Sequence, residues 1–250
     1  MEIPGLDVAI ATTTFSKTYD IRAKLAVRTV KEAVRCGYRI VVVDGGFDLA
    51  FRNDMFLAGA ILVDETERGM GGSRRQAMRI ASRLVGANGA VVWMEPEKHS
   101  LVGELWKAVQ PIREGLADFV QPARKSLASY PPYQQTTERR GNLGFLAATG
   151  IDIDVWFGPR VIGPRALPYF LDYKGEYGDK WESVQIPILR VRAAGLRIMG
   201  VTVDYTHPAE QTAAETGDAE MDRKREAQIA NIIPALQREA GILGLAGSSG

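Results

Sequence analysis

Across residues 7–124, short apolar, β-branched runs alternate with longer segments whose apolar residues recur near helical spacing. A period of two marks a strand and a period near 3.6 a helix, so this alternation constrains the fold more than any other feature. LDVAIATTTF reads as a strand, and IRAKLAVRTVKEAVRCG as a helix stopped at Gly37. YRIVVVDGG is a strand, NDMFLAGA a short helix and AILVDE a short strand. GSRRQAMRIASRLVG predicts a helix that opens on a Gly-rich turn, and GAVVWME the next strand. LVGELWKAVQPIREG predicts a helix and ADFVQPAR a strand. Strands alternating with helices imply a parallel sheet with right-handed crossovers. In such sheets ligands sit beyond the carboxyl ends of the strands.

The second half is less regular. Residues 124–150 are polar and turn-rich, and residues 159–175, with three prolines, read as loop plus a short helix. KWESVQIPILRVRAAG predicts a helix and LRIMGVTVDYTH a strand. Residues 216–240 predict a helix that begins acidic and turns basic, the favourable order for its dipole. No linker separates the halves, so one domain is expected over residues 1–242. The terminal AGILGLAGSSG is set aside from the fold, with residues 243–250 expected to form a flexible tail.

Lys plus Arg number 31 and Asp plus Glu 30, a formal net charge of +1, which gives no support for nucleic-acid or membrane-surface binding. Cys36 is the single cysteine, so no internal disulfide forms and a reducing, cytoplasmic setting is expected. MEIPGLDVAIATTTF lacks the basic and long apolar regions of a signal peptide, and no stretch approaches a membrane span. There is no Cys/His zinc spacing, no P-loop, no G-x-S-x-G and no G-x-G-x-x-G after the first strand. Those absences weigh against an NTPase, a serine hydrolase and a dinucleotide dehydrogenase.

Several clusters carry chemistry. Asp44 ends one predicted strand in VVVDGGFD, and Glu95 and Glu97 end another in VVWMEPEK. If both strands are central and parallel, these carboxylates share one crevice, and two of them one residue apart can grip Mg²⁺ or Mn²⁺. The plain alternative is a solvated strand exit turned by Pro96. In ERGMGGSRRQAM, Gly69, Gly71 and Gly72 open a helix beside Arg74 and Arg75, an arrangement suited to phosphate or simply to a turn before a surface helix. His207 follows a predicted strand in VDYTHP, and His99 follows Lys98; spacing does not say which histidine could join a metal. Asp179 and Glu182 lie three apart at a helix start, fit either for a general base or for acidic capping. Arg124, Lys125, Arg139 and Arg140, among tyrosines and glutamines, suit a polar acceptor loop and equally a solvated one.

Taken in order, VVVDGGFD, GMGGSRRQAMRIA, VVWMEPEK and GEYGDKWESVQIPILRVRAAGLRI resemble the pattern of the GT-A glycosyltransferases over roughly residues 7–240. The layout resembles that of the retaining glucosyl- and mannosyl-3-phosphoglycerate synthases, with EYGDKWE, a strand and His207 in sequence. The resemblance implies an α/β chain forming a single Rossmann-like GT-A domain, its mostly parallel central sheet flanked by helices. A nucleotide-sugar-binding half would span about 1–120 and an acceptor-binding half about 121–242. The implied activity moves a hexose from a nucleoside-diphosphate sugar to a small polar acceptor, with retention. By that resemblance Thr12, Thr13, Asp44, Gly71, Gly72, Arg74, Arg75 and Glu95 would bind the donor. Glu95, Glu97 and His207 would hold Mg²⁺ or Mn²⁺, and Asp179 and Glu182 stand near the catalytic position. Arg124, Lys125, Gln134, Glu176 and Tyr177 would meet the acceptor, which enters over residues 124–142 and 158–182. The family's D-x-D is E-P-E here, so a metal-independent variant, with Lys98, Arg74 or Arg75 neutralising the diphosphate, stays open. Few apolar surface helices are expected, which favours a small acceptor over a lipid. A homodimer is left open. A nucleotidyltransferase ranks second, since TTTFSKTYDIRAK offers Lys17 and Arg22 but no glycine after the first strand; a non-catalytic nucleotide-sugar-binding domain ranks third.

Overall fold

The computed structural model describes residues 7–15 and 18–245, so Lys17 and the last five residues of the expected tail lie outside the description. The first half follows the predicted alternation: β1 (Val8–Thr14), α1 (Ile21–Arg35), β2 (Arg39–Asp44), α2 (Leu49–Leu57), β3 (Ile61–Asp64), α3 (Met70–Ser82) and β4 (Ala90–Trp93). The predicted helix after β4 divides into α4 (His99–Val102) and α5 (Leu105–Arg113), and β5 (Phe119–Arg124) follows. Local chemistry sets these boundaries. The Asp20 side chain accepts from the Ala23 amide at 3.0 Å and caps α1, and Asp48 accepts from Phe51 at 2.8 Å and caps α2. Gly37, at φ 78°, turns the chain out of α1 into β2.

The second half adds α6 (Pro132–Thr149), β6 (Arg160–Ile162), α7 (Leu167–Leu171), α8 (Glu182–Ala193), β7 (Ile198–Val203), α9 (Ala209–Glu215) and α10 (Ala219–Ile242). The seven strands form one sheet in the order β3-β2-β1-β4-β6-β5-β7. β1 pairs in parallel with β2 and β4, and β5 with β7; β6 runs antiparallel to β4 and β5. The carboxyl ends of β1, β2 and β4 therefore open on the same side.

Helices cover both faces of the sheet. Successive strand residues point to opposite faces. Val8, Ile10, Ile40 and Val42 enter one core with Ala26 and Val30 of α1 and Leu105 and Val109 of α5. Ala9, Ala11, Val41 and Val43 enter the other with Ala77 and Met78 of α3, Val184 and Ile188 of α8 and Leu236 of α10. Burial on both faces explains why the strands read as continuous apolar runs rather than alternating ones. No helix among the described residues is long and apolar enough to cross a membrane.

Four expectations are corrected. The polar stretch over 124–150 is mostly the 18-residue α6, started by Pro132 and stopped by Gly150 at φ 70°. Its interior glycines lower helix propensity, but each serves close packing. A Cβ on Gly141 would lie 2.4 Å from the Trp156 ring, and one on Gly144 would lie 2.7 Å from Ile233 of α10. The 159–175 segment contributes β6, too short at three residues to show a period. The described start of the tail is packed: Leu243 and Leu245 rest on the second core. Finally, α2 and the turn into it present Phe47, Leu49, Phe56 and Leu57 to solvent, so an apolar surface helix is present after all.

Replacing Gly141 with alanine is expected to destabilise the fold by roughly 1–3 kcal/mol through overpacking on Trp156, although alanine is the better helix former by about 1 kcal/mol. Urea unfolding of Gly141→Ala beside the parent chain measures this. A gain in stability would show that propensity, not the Trp156 contact, governs the position.

Candidate functional site

A cleft of about 570 Å³ opens where the topology brings the carboxyl ends of β1 and β4 together. Thr13 and Thr14 come from β1, Arg22 from the first turn of α1, Arg74 from near the start of α3, and Glu95 and Glu97 from the segment leaving β4. Trp181, just before α8, closes the side. The E-P-E segment is thus no solvated exit: the side chains of Glu95 and Glu97 are only 20% and 14% exposed.

Glu95 stands against the backbone of Gly158, where an added Cβ would lie 1.7 Å from its Oε1. Its Oε2 is buried without a hydrogen-bond partner. The nearest cation is Lys98 Nζ, 3.9 Å away and itself buried over the rings of Phe157 and Tyr205. Burial works against the Lys98 charge, but Glu95 and the surrounding groups outweigh it and hold the ammonium protonated. Burial raises the Glu97 carboxyl above its ordinary value, with Arg22 opposing and Glu95 adding to the shift. Arg22 Nη1 lies 3.7 Å from Glu97, and its Nη2 donates to Glu215 at 2.6 Å. Arg225 pairs with the same Glu215 at 2.7 Å, so the start of α10 is tied to the cleft mouth.

Arg74 is buried between two indoles, 4.6 Å from the Trp93 ring and 4.4 Å from the Trp181 ring. Its Nη1 donates to the Lys180 carbonyl at 2.6 Å, and its Nε has no partner. Burial lowers its pKa to about 10, against the pull of Glu95, Asp179 and Glu182, and it stays charged at neutral pH. The sandwich fixes a cation at the cleft wall with no carboxylate salt bridge of its own.

Other expected donor residues are placed differently. Arg75 does not face the cleft: its Nη1 and Nη2 donate to the Asp179 carboxylate at 2.6 and 2.9 Å. That carboxylate sits over the first turn of α3, where a Cβ on Gly71 would lie 2.0 Å from Asp179 Oδ1, and Gly72 abuts the Glu67 backbone. Gly71 and Gly72 therefore admit a protein carboxylate and a loop, not a phosphate. Asp44 is fully buried and satisfied within the protein, accepting from Thr14 Oγ1 at 2.8 Å, the Gly46 and Phe47 amides at 3.2 and 3.1 Å, and Arg52 at 3.2 Å. It shapes the turn after β2. Thr12 is buried in the sheet while Thr13 lines the cleft.

The expected catalytic pair is likewise engaged. Asp179 is held by Arg75, and the Glu182 carboxylate accepts from the Lys180 amide at 3.0 Å, just ahead of α8. The expected acceptor residues do not converge. Arg124 is buried in ion pairs with Glu138 and, at 2.6 Å, with Asp154. Gln134 donates to Glu138 at 2.6 Å, Tyr177 to Glu239 at 2.8 Å, and Glu176 pairs with Arg190 at 3.3 Å. Lys125 is exposed beside Asp204. These groups hold α6, α8 and α10 in place.

His207 does not join the glutamates, and among the described residues no group of three His, Cys, Asp or Glu side chains forms a metal site. Its ring packs at a tilt on Tyr130, centroids 4.3 Å apart, its Nδ1 meets Thr212 Oγ1 at 2.8 Å, and its amide donates to Ser129 Oγ at 2.9 Å. Burial, with Lys98 nearby, lowers its pKa to about 3. Sequence reasoning weighed Arg22 only for a nucleotidyltransferase and missed Trp93 and Trp181 as cleft residues. Arg22 carried a signal, since the first helical turn after the first strand of such a sheet faces the crevice; the tryptophans carried none.

With this geometry in view, comparison with solved structures decides the fold. The chain shares the fold of glucosyl-3-phosphoglycerate synthase. It matches a crystal structure of that enzyme from Mycobacterium tuberculosis in complex with Mn²⁺, uridine-diphosphate and phosphoglyceric acid at a TM-score of 0.56 and 13% identity, covering 91% of this chain and 78% of that one. A structure of the same enzyme with Mn²⁺, UDP-glucose and phosphoglyceric acid matches at 0.52 and 14% identity, covering 91% and 79%. A further crystal structure, described as a mycobacterial protein, matches at 0.60 and 13% identity, covering 95% and 76%. No family model and no curated protein matches the chain. Likeness at this identity establishes the α/β architecture with its mostly parallel sheet.

The buried, neutral imidazole of His207 gives a pH-dependent stability with a definite sign. The unfolded side chain titrates near 6.5 and takes up a proton that the folded state refuses. The stabilisation is complete above about pH 6.5 and is lost as pH falls towards 3. The loss at pH 5 is roughly 2 kcal/mol. Urea unfolding at pH 7 and pH 5 should show a steeper decline for the parent chain than for His207→Gln; parallel declines would contradict a buried neutral imidazole.

Proposed function

We propose that the protein is a glycosyltransferase that moves a hexose from a nucleoside-diphosphate sugar to a small polar acceptor, with retention of configuration. The observation that carries this reading is the convergence of Glu95, Glu97, Arg22 and Arg74 on one cleft at the strand ends of this fold. The structures that share the fold hold UDP or UDP-glucose, Mn²⁺ or Mg²⁺, and phosphoglyceric acid. In this chain Thr13, Thr14 and Phe15 at the end of β1 offer a wall for the nucleoside, and Arg74 offers fixed donors to the diphosphate.

The charge of the cleft supports a cation. Asp20, Glu65, Glu95 and Glu97 line it against Arg22 and Arg74. An anionic diphosphate would worsen that imbalance. Glu95, with an oxygen lacking any partner, and Glu97 would hold Mg²⁺ or Mn²⁺, which when bound neutralises charge on the departing diphosphate. Lys98 does not line the cleft and Arg75 is spent on Asp179, so the protein's own cations fall short.

The engagement of Asp179 and Glu182 supports retention. Neither residue lines the cleft, so the departing diphosphate oxygen serves as the base for the acceptor proton. The bond from the anomeric carbon to the diphosphate breaks, the bond to the acceptor oxygen forms, and the acceptor proton passes to the diphosphate. Such a reaction fits a reducing cytoplasm, where the lone Cys36 needs no partner.

Thermal unfolding with UDP, GDP and ADP, each with and without Mn²⁺, tests the donor site. Ligand at a hundred times its Kd adds about 2.7 kcal/mol, a rise of roughly 5–10 °C in a chain of this size. One nucleotide should give that rise only with the cation, and Glu97→Ala should abolish the cation dependence. No shift with any nucleotide would sink the donor assignment.

A further inference from the structure

A second cavity, of about 310 Å³, opens at the other end of the sheet. Its wall is built from the residues that precede β4, β5 and β7 and follow β6: Asn88, Asp118, Arg197 and Gly163, joined by Arg113 from the last turn of α5 and by Arg165. Because β6 is antiparallel, its carboxyl end meets the amino ends of its neighbours here. The cavity is therefore separated from the first cleft by the length of the sheet.

Three guanidinium groups face one carboxylate. Asp118 is largely buried and already committed: it accepts from the Arg197 amide at 2.9 Å and from Arg165 Nη1 at 3.1 Å, with Arg197 Nε at 3.6 Å. That pairing uses few of the five donors each arginine carries. The side chains of Arg113 and Asn88 have no hydrogen bond or ion pair among the described residues. The turn after β6 is pressed into the floor, since a Cβ on Gly163 would lie 2.8 Å from the Asp118 carbonyl oxygen and 3.2 Å from Ile112. The backbone thus fixes where Asp118 sits, and Asp118 in turn orients Arg165 and Arg197 around the opening.

We propose that this cavity binds a small phosphate-bearing anion, at a site distinct from the donor cleft. The formal balance of three arginines and one aspartate leaves two positive charges, matching a phosphomonoester dianion. Planar guanidinium forks from separate elements suit phosphate oxygens better than a point charge would. The volume sits at the lower end of small-ligand sites. The bound anion lies against the entry to β4, the strand whose exit carries Glu95 and Glu97.

Titration calorimetry of the full chain at low ionic strength tests this, with inorganic phosphate, glycerol 3-phosphate and succinate as probes. Phosphate and glycerol 3-phosphate should bind one to one, and succinate more weakly. The double variant Arg113→Gln/Arg165→Gln, both side chains being solvent-facing, should keep its melting temperature and bind phosphate at least about tenfold more weakly, as expected for losing charged hydrogen bonds. Arg22→Gln, in the first cleft, should leave phosphate affinity unchanged. Absence of binding, an equal loss in Arg22→Gln, an unchanged affinity in the double variant, or succinate binding as tightly as phosphate would each overturn the proposal.

Discussion

The N-terminal part of α3 joins the two halves of the molecule, and the cleft depends on that joint. Arg75 grips Asp179 with both terminal guanidinium nitrogens, and Arg74 lies between Trp93 and Trp181 with its donor on the Lys180 carbonyl. A buried guanidinium without a carboxylate is costly unless dipoles and ring faces replace water. Here one indole comes from β4 and the other from the approach to α8. The arginine can be satisfied only when strand, helix and loop are all in place. The same contacts set the distance between Trp181 and the glutamates leaving β4, and with it the width of the cleft.

A related arrangement holds the floor. Arg160 is fully buried and donates to the carbonyls of Val155, Phe157, Gly158 and Pro159 at 2.6–3.0 Å. It draws residues 155–159 into a tight loop whose Gly158 backs onto Glu95. Burial lowers its pKa to about 9, with Glu95 and Asp154 opposing. Arg74 and Arg160 are thus two cations near Glu95 held by neutral groups. They leave the Glu95 carboxylate free of a direct salt bridge tighter than 3.9 Å.

What was legible in the sequence follows from how far each signal reaches. β1, β2 and β4 declare themselves because both faces of each are buried, so VAIATT and VVVD can be read without knowing their partners. The strand ends then follow from chirality and crossover rules, which is why Asp44, Glu95 and Glu97 could be placed at one edge. α6 was hidden because Gly141 and Gly144 are there for Trp156 and Ile233, residues that sequence spacing cannot bring near. Side-chain roles failed for the same reason. Arg124 looks like a ligand residue until Glu138 and Asp154 appear beside it. Asp179 looks like a base until Arg75 arrives from more than a hundred positions away. A charged residue is only as available as its distant partners leave it, and propensity says nothing of those.

The exchange of aspartates for glutamates around Pro96 can be weighed on the same terms. Were the protein's cations to replace a metal, they would have to face the cleft and be unspent. Lys98 is turned inward onto Phe157 and Tyr205, and Arg75 is committed to Asp179. Arg22 already serves Glu97 and Glu215. Arg74 alone faces the cleft without a carboxylate salt bridge. One fixed guanidinium would not offset two half-buried carboxylates and a diphosphate together, because each added negative charge in a poorly hydrated site costs more than one exposed to water. On the proposed reading, the longer glutamate arms would still call for a cation. They would hold such a cation further from the backbone, and Gly158 leaves the Glu95 carboxylate the room that a side chain would fill.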